Sequence, residues 1–286
     1  MCNCLPLSVV GYGFGAQGLG PYSLTTRLTT FLYDGIVGPL SSVAFPAFSK
    51  LQSEPLKFEQ ALYKFCETCS FISFPVFAGI TAVAPNLVPW LFGTKWASSV
   101  PILQILAVYG AIRSALSFVH PLMLSKGRTG LYLLTNVLLS GLTFVGCLIA
   151  VRWNPTAIAL SIIVTMLLYA AVFLMIARRT LEIRIRPLLK TFAFPGLASL
   201  FMLILVSLLQ GFISKIFASA TTVIVCVTAG VVVYILIALY GSPDLAKAIW
   251  KVVGKHLLRS SEVGSTAAAP IPGQYVAEAT HSSSEP

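Results

Sequence analysis

Over most of its 286 residues the chain alternates long apolar runs with short polar breaks, and the length of those runs limits its folds most. A helix crossing the hydrocarbon core of a bilayer needs about 20 mostly apolar residues. Seven runs qualify: 21–47, 62–84, 102–124, 130–151, 156–177, 193–213 and 220–241. Apolar residues make up 57% of the chain and charged residues only 10%. Soluble domains carry about 25% charged residues, so a water-soluble domain is excluded and an all-α membrane protein is expected. The net charge of +10 reflects a shortage of acids, 19 Lys and Arg against 9 Asp and Glu, with the bases near the ends of apolar runs. That is a membrane pattern with membrane lipids as surroundings, not a basic patch for nucleic acid.

Basic residues concentrate in cytoplasmic loops. With residues 48–61 inside, alternation puts Lys50, Lys57, Lys64, Lys126, Arg128, Arg178, Arg179, Arg184, Arg186, Lys190 and the four bases after residue 242 on the same side. Only Lys95, Arg152 and Lys215 fall outside, which predicts a cytoplasmic C-terminus. All four tryptophans (Trp90, Trp96, Trp153, Trp250) fall at predicted interfaces. Residues 85–101, with Trp90, Leu91, Phe92 and Trp96, are expected along the outer interface.

Upstream of the first span, Leu5–Val10 is too short to cross a membrane and runs into five glycines between Gly11 and Gly20. Residues 1–20 therefore look like a helix stub whose beginning is missing, followed by a glycine-rich loop. No Lys or Arg precedes Arg27, so the basic start of a signal peptide is absent. Residues 21–177 form the main helical set, 178–241 a cytoplasmic linker with two further helices, and 242–286 a tail too poor in large apolar residues to fold. Cys66 and Cys69 have a metal-type spacing but lack a second pair, and read as packing residues; neither a metal nor a cofactor is expected.

Ionisable groups at bilayer depth mark a site by default. Arg27 and Asp34, seven residues apart, project from one face with Thr30, Gly38 and Ser41. Either Arg27 snorkels to headgroups with Asp34 as its partner, or both face a cavity. Arg113 stands at the middle of its span, where snorkelling is difficult, with Tyr109, Ser117 and His120 on its face. Tyr132, Asn136, Ser140 and Thr143 make a third stripe. Three successive polar stripes suggest that one side of the bundle is wet, although Arg113 could instead be paired privately with Asp34 or a carbonyl. Substrate contacts are expected at Arg27, Arg113, Tyr109 and Asn136. Ion coupling is expected at Asp34, Glu67 or His120, the last two also readable as a headgroup-facing acid and a packing histidine. The last two spans are apolar nearly all round and read as lipid-facing additions.

A more specific signal lies in residues 19–110. Leu19-Gly20-Pro21-Tyr22-Ser23 with Arg27-Leu28, then Phe45-Pro46-Ala47-Phe48-Ser49-Lys50-Leu51-Gln52, Phe74-Pro75, Ala84-Pro85-Asn86-Leu87-Val88, Leu91-Phe92-Gly93-Thr94-Lys95-Trp96 and Val100–Ala107 follow one another in order. Together they resemble the polysaccharide transporter, or O-antigen flippase-like, family of the multidrug/oligosaccharidyl-lipid/polysaccharide superfamily. The resemblance implies a lobe of a two-lobe fold of twelve to fourteen helices around a central cavity. The matched motifs are those of the second lobe, so the chain would begin inside helix seven, with an N-terminal lobe encoded elsewhere or lost. It further implies a bacterial cytoplasmic-membrane protein moving undecaprenyl-diphosphate-linked oligosaccharide, with polysaccharide polymerase or export proteins as partners. Three rivals remain: a drug exporter or peptidoglycan-precursor flippase of the same fold, a membrane glycosyl- or phosphotransferase, and a non-transporting scaffold. The enzyme reading is disfavoured, since Asp34 is the one acid deep in a span and no acid cluster is available.

Overall fold

A chain crossing a bilayer must satisfy its backbone polar groups internally, and long uninterrupted helices do so. A computed structural model describes residues 4–180, 184–213 and 219–241, which contain helices and no strand. In chain order these are α1 (Cys4–Leu51), α2 (Pro55–Phe92), a 3₁₀ turn (Thr94–Trp96), α3 (Ser99–Ala115), α4 (Val119–Ser125), α5 (Thr129–Ala150), α6 (Pro155–Thr180), α7 (Ile185–Ile213) and α8 (Ser219–Gly241). With α3 and α4 counted as one crossing, seven helical segments among the described residues are long and apolar enough to span a membrane. This is a multi-pass, all-α membrane protein. The chain divides into residues 1–237 and residues 238–286; of the second unit only the end of α8 is described. The expected tail 242–286, Trp250 and Lys215 lie outside the described residues.

Three local departures from expectation have physical causes. The glycine-rich stretch is helical except at Gly15, whose φ of 59° and ψ of −156° are open only to glycine. The chain turns there, and Leu5 and Pro6 face one cavity together with Thr26 and Thr29. Residues 16–51 then continue as helix, longer at both ends than the expected 21–47. The expected single span 102–124 is broken between α3 and α4. Pro121 has no N–H to offer the Ser117 carbonyl, and the turn before it tightens, with Ser117 N–H bonding the Ser114 carbonyl at 3.2 Å and Val119 N–H the Leu116 carbonyl at 3.1 Å. Finally, α2 runs through Pro85 and Pro89 to Phe92 rather than ending near residue 84.

Why α2 tolerates its prolines is visible in its neighbours. A proline at position i leaves the carbonyl at i−4 without a donor. Pro85 frees the carbonyl of Thr81, and Gln104 of α3 donates its side-chain amide there at 3.0 Å. Pro75 frees the carbonyl of Phe71, and Tyr234 of α8 donates its hydroxyl there at 2.8 Å. Both vacancies are filled from another helix. Packing between α2 and its neighbours is close as well: a Cβ placed on Gly110 of α3 would collide with the Phe77 ring of α2.

The two ends of the bundle differ in charge. Lys126, at the turn between α4 and α5, lies over the Phe58 ring at 4.4 Å. Beside Phe58, Glu59 faces Arg184, with Nε 3.6 Å from a carboxylate oxygen, and Tyr63 donates to the Arg184 carbonyl at 3.1 Å. Lys50, Lys57, Lys126, Arg128 and Arg184 thus share one end, while Lys95 and Arg152 stand at the other. Of the last two helices, α7 packs along α2, and both expose large apolar side chains, Leu197 and Phe201 on α7 and Val231 and Ile235 on α8.

The proline pairing makes a sharp prediction. Tyr234→Phe should lower stability in detergent by about 1 kcal/mol, the scale of an interhelical hydrogen bond in a membrane protein. In a Pro75→Ala background the substituted alanine supplies the missing N–H, so the same change should cost much less. A double-mutant cycle on thermal unfolding reads the difference, and equal costs in both backgrounds would contradict the pairing.

Candidate functional site: a polar cleft around Arg113

The expected polar stripes converge on the side of the bundle formed by α1, α3, α4, α5 and α6. They enclose two adjoining cavities. One, of about 330 Å³, is lined by Tyr33, Asp34, Gly38 and Ser41 of α1, Arg113 of α3, Ser117 and His120 beyond it, Tyr132 and Asn136 of α5, and Met166 and Tyr169 of α6. The other, of about 60 Å³, is lined by Tyr22, Thr26, Thr29, Thr30, Tyr109, Ser140, Thr143 and Thr165 among others. Tyr33, Arg113 and Met166 line both, and form the partition between them.

Helical spacing explains the gathering. Asp34, Gly38 and Ser41 follow at +4 and +7 on α1, and Tyr132 and Asn136 are one turn apart on α5. Ser117 and His120 stay on the Arg113 face despite the break between α3 and α4, because the tightened turn preserves direction. The third stripe is shared: Tyr132 and Asn136 face the larger cleft, Ser140 and Thr143 the smaller cavity.

Arg113 is the chemical centre. Its guanidinium carbon lies 3.8 Å from the centroid of the Tyr33 ring, a cation–π contact. Among the described residues it forms no ion pair; the pairs there are Lys57–Glu54, Lys64–Glu67 and Arg184–Glu59. The private pairing with Asp34 is therefore not made, although Asp34 lines the same cleft. His120 packs edge-on against Tyr132 with ring centroids 5.1 Å apart, and Asn136 donates its amide to the Tyr132 carbonyl at 2.8 Å.

The smaller cavity differs in character. Thr26, Thr29, Thr143 and Thr165 donate their hydroxyl protons to the carbonyls of Tyr22, Thr25, Leu139 and Ile162 at 2.8, 2.9, 2.7 and 3.0 Å. Each hydroxyl has a single proton, so these four present lone pairs to their surroundings. Arg113 is the one charged group on the cavity wall.

Of the expected site residues, the structure brings Arg113, Asp34, His120 and Asn136 into one cleft, and Tyr109 to the adjoining cavity. Arg27 and Glu67 line neither. Arg27 is exposed on α1, without an ion pair to Asp34, and Phe31 one turn on is 77% exposed. Glu67 takes Lys64 as its partner at 3.4 Å. Sequence reasoning missed Tyr33, Tyr169, Met166 and Thr165. Tyr33 directly precedes Asp34, but an aromatic ring reads as part of an apolar run.

Residues 3–101 match the family described as polysaccharide biosynthesis protein. The lipopolysaccharide biosynthesis protein WzxC of Escherichia coli is 33% identical over 43% of this chain and 25% of its own length. The teichuronic acid biosynthesis protein TuaB of Bacillus subtilis is 29% identical over 52% of this chain and 32% of its own. These matches make the chain similar to polysaccharide-biosynthesis membrane proteins, most specifically over residues 3–101. A membrane protein from a cps region of Klebsiella pneumoniae, 26% identical, aligns over 88% of this chain and 52% of itself. Among solved structures, the lipid II flippase MurJ in an inward closed conformation has the same fold, with a TM-score of 0.69 at 16% identity over 84% of this chain and 50% of that one. The chain thus spans about half, or less, of the relatives it matches. The family match covers α1, α2 and the start of α3, so it includes Tyr33 and Asp34 but stops short of Arg113, His120 and Asn136.

A wet cleft makes a prediction about reactivity, because thiols ionise and react in water and not in lipid. With the native cysteines replaced by alanine, Asn136→Cys and Asp34→Cys should react with a membrane-impermeant maleimide. Val137→Cys, one residue away and facing outward, should not. Equal labelling of positions 136 and 137 in membranes would contradict an aqueous cleft.

Proposed function

We propose that the chain is part of a flippase that carries a lipid-linked saccharide bearing an anionic diphosphate across the bacterial cytoplasmic membrane. The observation that carries this reading is Arg113: a guanidinium at bilayer depth, held against a ring instead of a carboxylate, on the wall of a polar cleft. A cation in a low-dielectric cleft attracts an anion strongly, at about 4 kcal/mol for charges 4 Å apart at an effective dielectric of 20. Arg113 would meet the diphosphate or an acidic sugar, with Tyr109 and Asn136 as polar neighbours. Arg27, on the exposed face of α1, would act earlier, drawing the headgroup in. Asp34 and His120 stand in the cleft as candidates to couple transport to an ion, and Glu67 is the more remote third.

Transport would proceed by alternating access, the cleft opening first to one side and then to the other. Nothing covalent is required. A second bundle would complete the cavity, in keeping with relatives about twice the matched length. The basic end of the bundle would face the cytoplasm, and polysaccharide polymerase or export proteins would receive the product. The lipid II flippase fold also supports a peptidoglycan-precursor cargo, which shares the diphosphate chemistry.

Arg113→Ala in the protein as its gene encodes it should abolish export of the cognate polysaccharide, while Arg113→Lys retains a fraction because charge survives without the planar fork. Polymer on the cell surface and lipid-linked precursor inside the cell are both measured. Precursor accumulation with loss of surface polymer is expected, and loss of cell-wall synthesis instead would transfer the reading to the peptidoglycan precursor. Unchanged export of every polymer would defeat the proposal.

A further inference from the structure

Arg113 poses a physical problem that its partner resolves. A guanidinium inside a membrane protein needs a counterpart, and a carboxylate is the usual one. A carboxylate would leave little net charge for a ligand. The Tyr33 ring, 3.8 Å from the guanidinium carbon, offers attraction through its electron-rich face and adds no formal charge. The contact also restricts how the guanidinium can turn, and so the directions of its five N–H donors. Thr26, Thr29, Thr143 and Thr165 line the adjoining cavity with their protons already committed to helix carbonyls, and they too offer electron density without formal charge. Asp34, the one acid on the cleft wall, is not paired with Arg113.

We propose that Tyr33 is a positioning residue for anion recognition: its ring holds Arg113 on the partition between the two cavities, charged and with N–H donors left for a diphosphate. This rests on the anionic-cargo reading above and adds the residue that makes Arg113 selective. The aromatic face carries most of the effect, with the phenolic hydroxyl also in reach of Arg113.

Binding of farnesyl diphosphate and of farnesol to the purified full-length protein in detergent tests this, with thermal unfolding measured on each variant. Tyr33→Leu should weaken farnesyl diphosphate binding about five- to thirtyfold, the range of a desolvated cation–π contact. Farnesol binding and the unfolding temperature should stay near wild type. Tyr33→Phe should lose much less than Tyr33→Leu, since it keeps the ring. Equal losses in the Leu and Phe variants would assign the effect to the hydroxyl and overturn the inference. So would parallel losses for farnesyl diphosphate and farnesol in Tyr33→Leu, which would mean a packing role. Arg113→Ala separates the two levels of argument. If it loses diphosphate binding while Tyr33→Leu does not, the positioning role fails alone; if it too binds normally, the anionic-cargo reading fails with it.

Discussion

A backbone carbonyl freed by proline inside a bilayer has no water to turn to, and in this protein that constraint decides how the helices are joined. Pro75 and Pro85 leave the carbonyls of Phe71 and Thr81 without their helical donors. Tyr234 of α8 and Gln104 of α3 supply them. Neither donor is replaceable by solvent at that depth, so each bond fixes a helix against α2 in both height and rotation. The consequence reaches the cleft. Gln104 and Arg113 share α3 and stand nine residues apart, about 13 Å along the axis. Once Gln104 is seated on Thr81, the level and direction at which Arg113 emerges are set.

The same scarcity of water governs charge. A low-dielectric interior strengthens an ion pair but exacts desolvation from both partners, and a pair once made is electrically quiet. At the basic end of the bundle cations do pair with acids, in partly exposed contacts: Arg184 lies beside Glu59 and Lys64 beside Glu67. Arg113 follows the other solution, with a ring for a partner and an acid in the cleft left unpaired. Near that end Arg184 and Lys64 are paired with carboxylates, whereas the cation on the cleft wall is stabilised without being neutralised. The distinction between them lies in the partner chosen.

How much of this was legible in the sequence depended on the signal each feature leaves. The seven crossings follow from the lengths of apolar runs. Arg113, Ser117 and His120, and again Tyr132 and Asn136, were legible because polar residues at helical spacing stand out in an apolar helix. The partition was not legible. Tyr33 belongs to the apolar pattern of α1 by composition, and its pairing with Arg113 is a contact across 80 residues that no local period encodes. Gly15 was hidden for a different reason: five glycines within ten residues all permit a sharp turn, and only packing against the rest of the bundle selects one. The Pro121 break was half legible, since proline announces a disrupted helix but not the tightening by which the following residues keep their face. The separation of Arg27 from the cleft was also hidden, because one polar stripe on a kinked helix can face two surroundings.

The unequal cavities bear on how a cargo could move. Ligand sites for drug-sized molecules occupy about 300–1,000 Å³. The cleft that holds Asp34, His120 and Asn136 reaches the lower end of that range at about 330 Å³, and the threonine-lined cavity, at about 60 Å³, falls well short. A saccharide headgroup would, on the proposed reading, have room beside Arg113 on one side of the partition only. On the proposed reading, passage to the other side requires the walls of the smaller cavity to separate and the Tyr33–Arg113 stack to turn or part. Since on that reading the stack strengthens anion binding, a bound anion strengthens the stack in return. The partition would then part more easily once the cargo has left Arg113, which couples release to opening with no covalent chemistry.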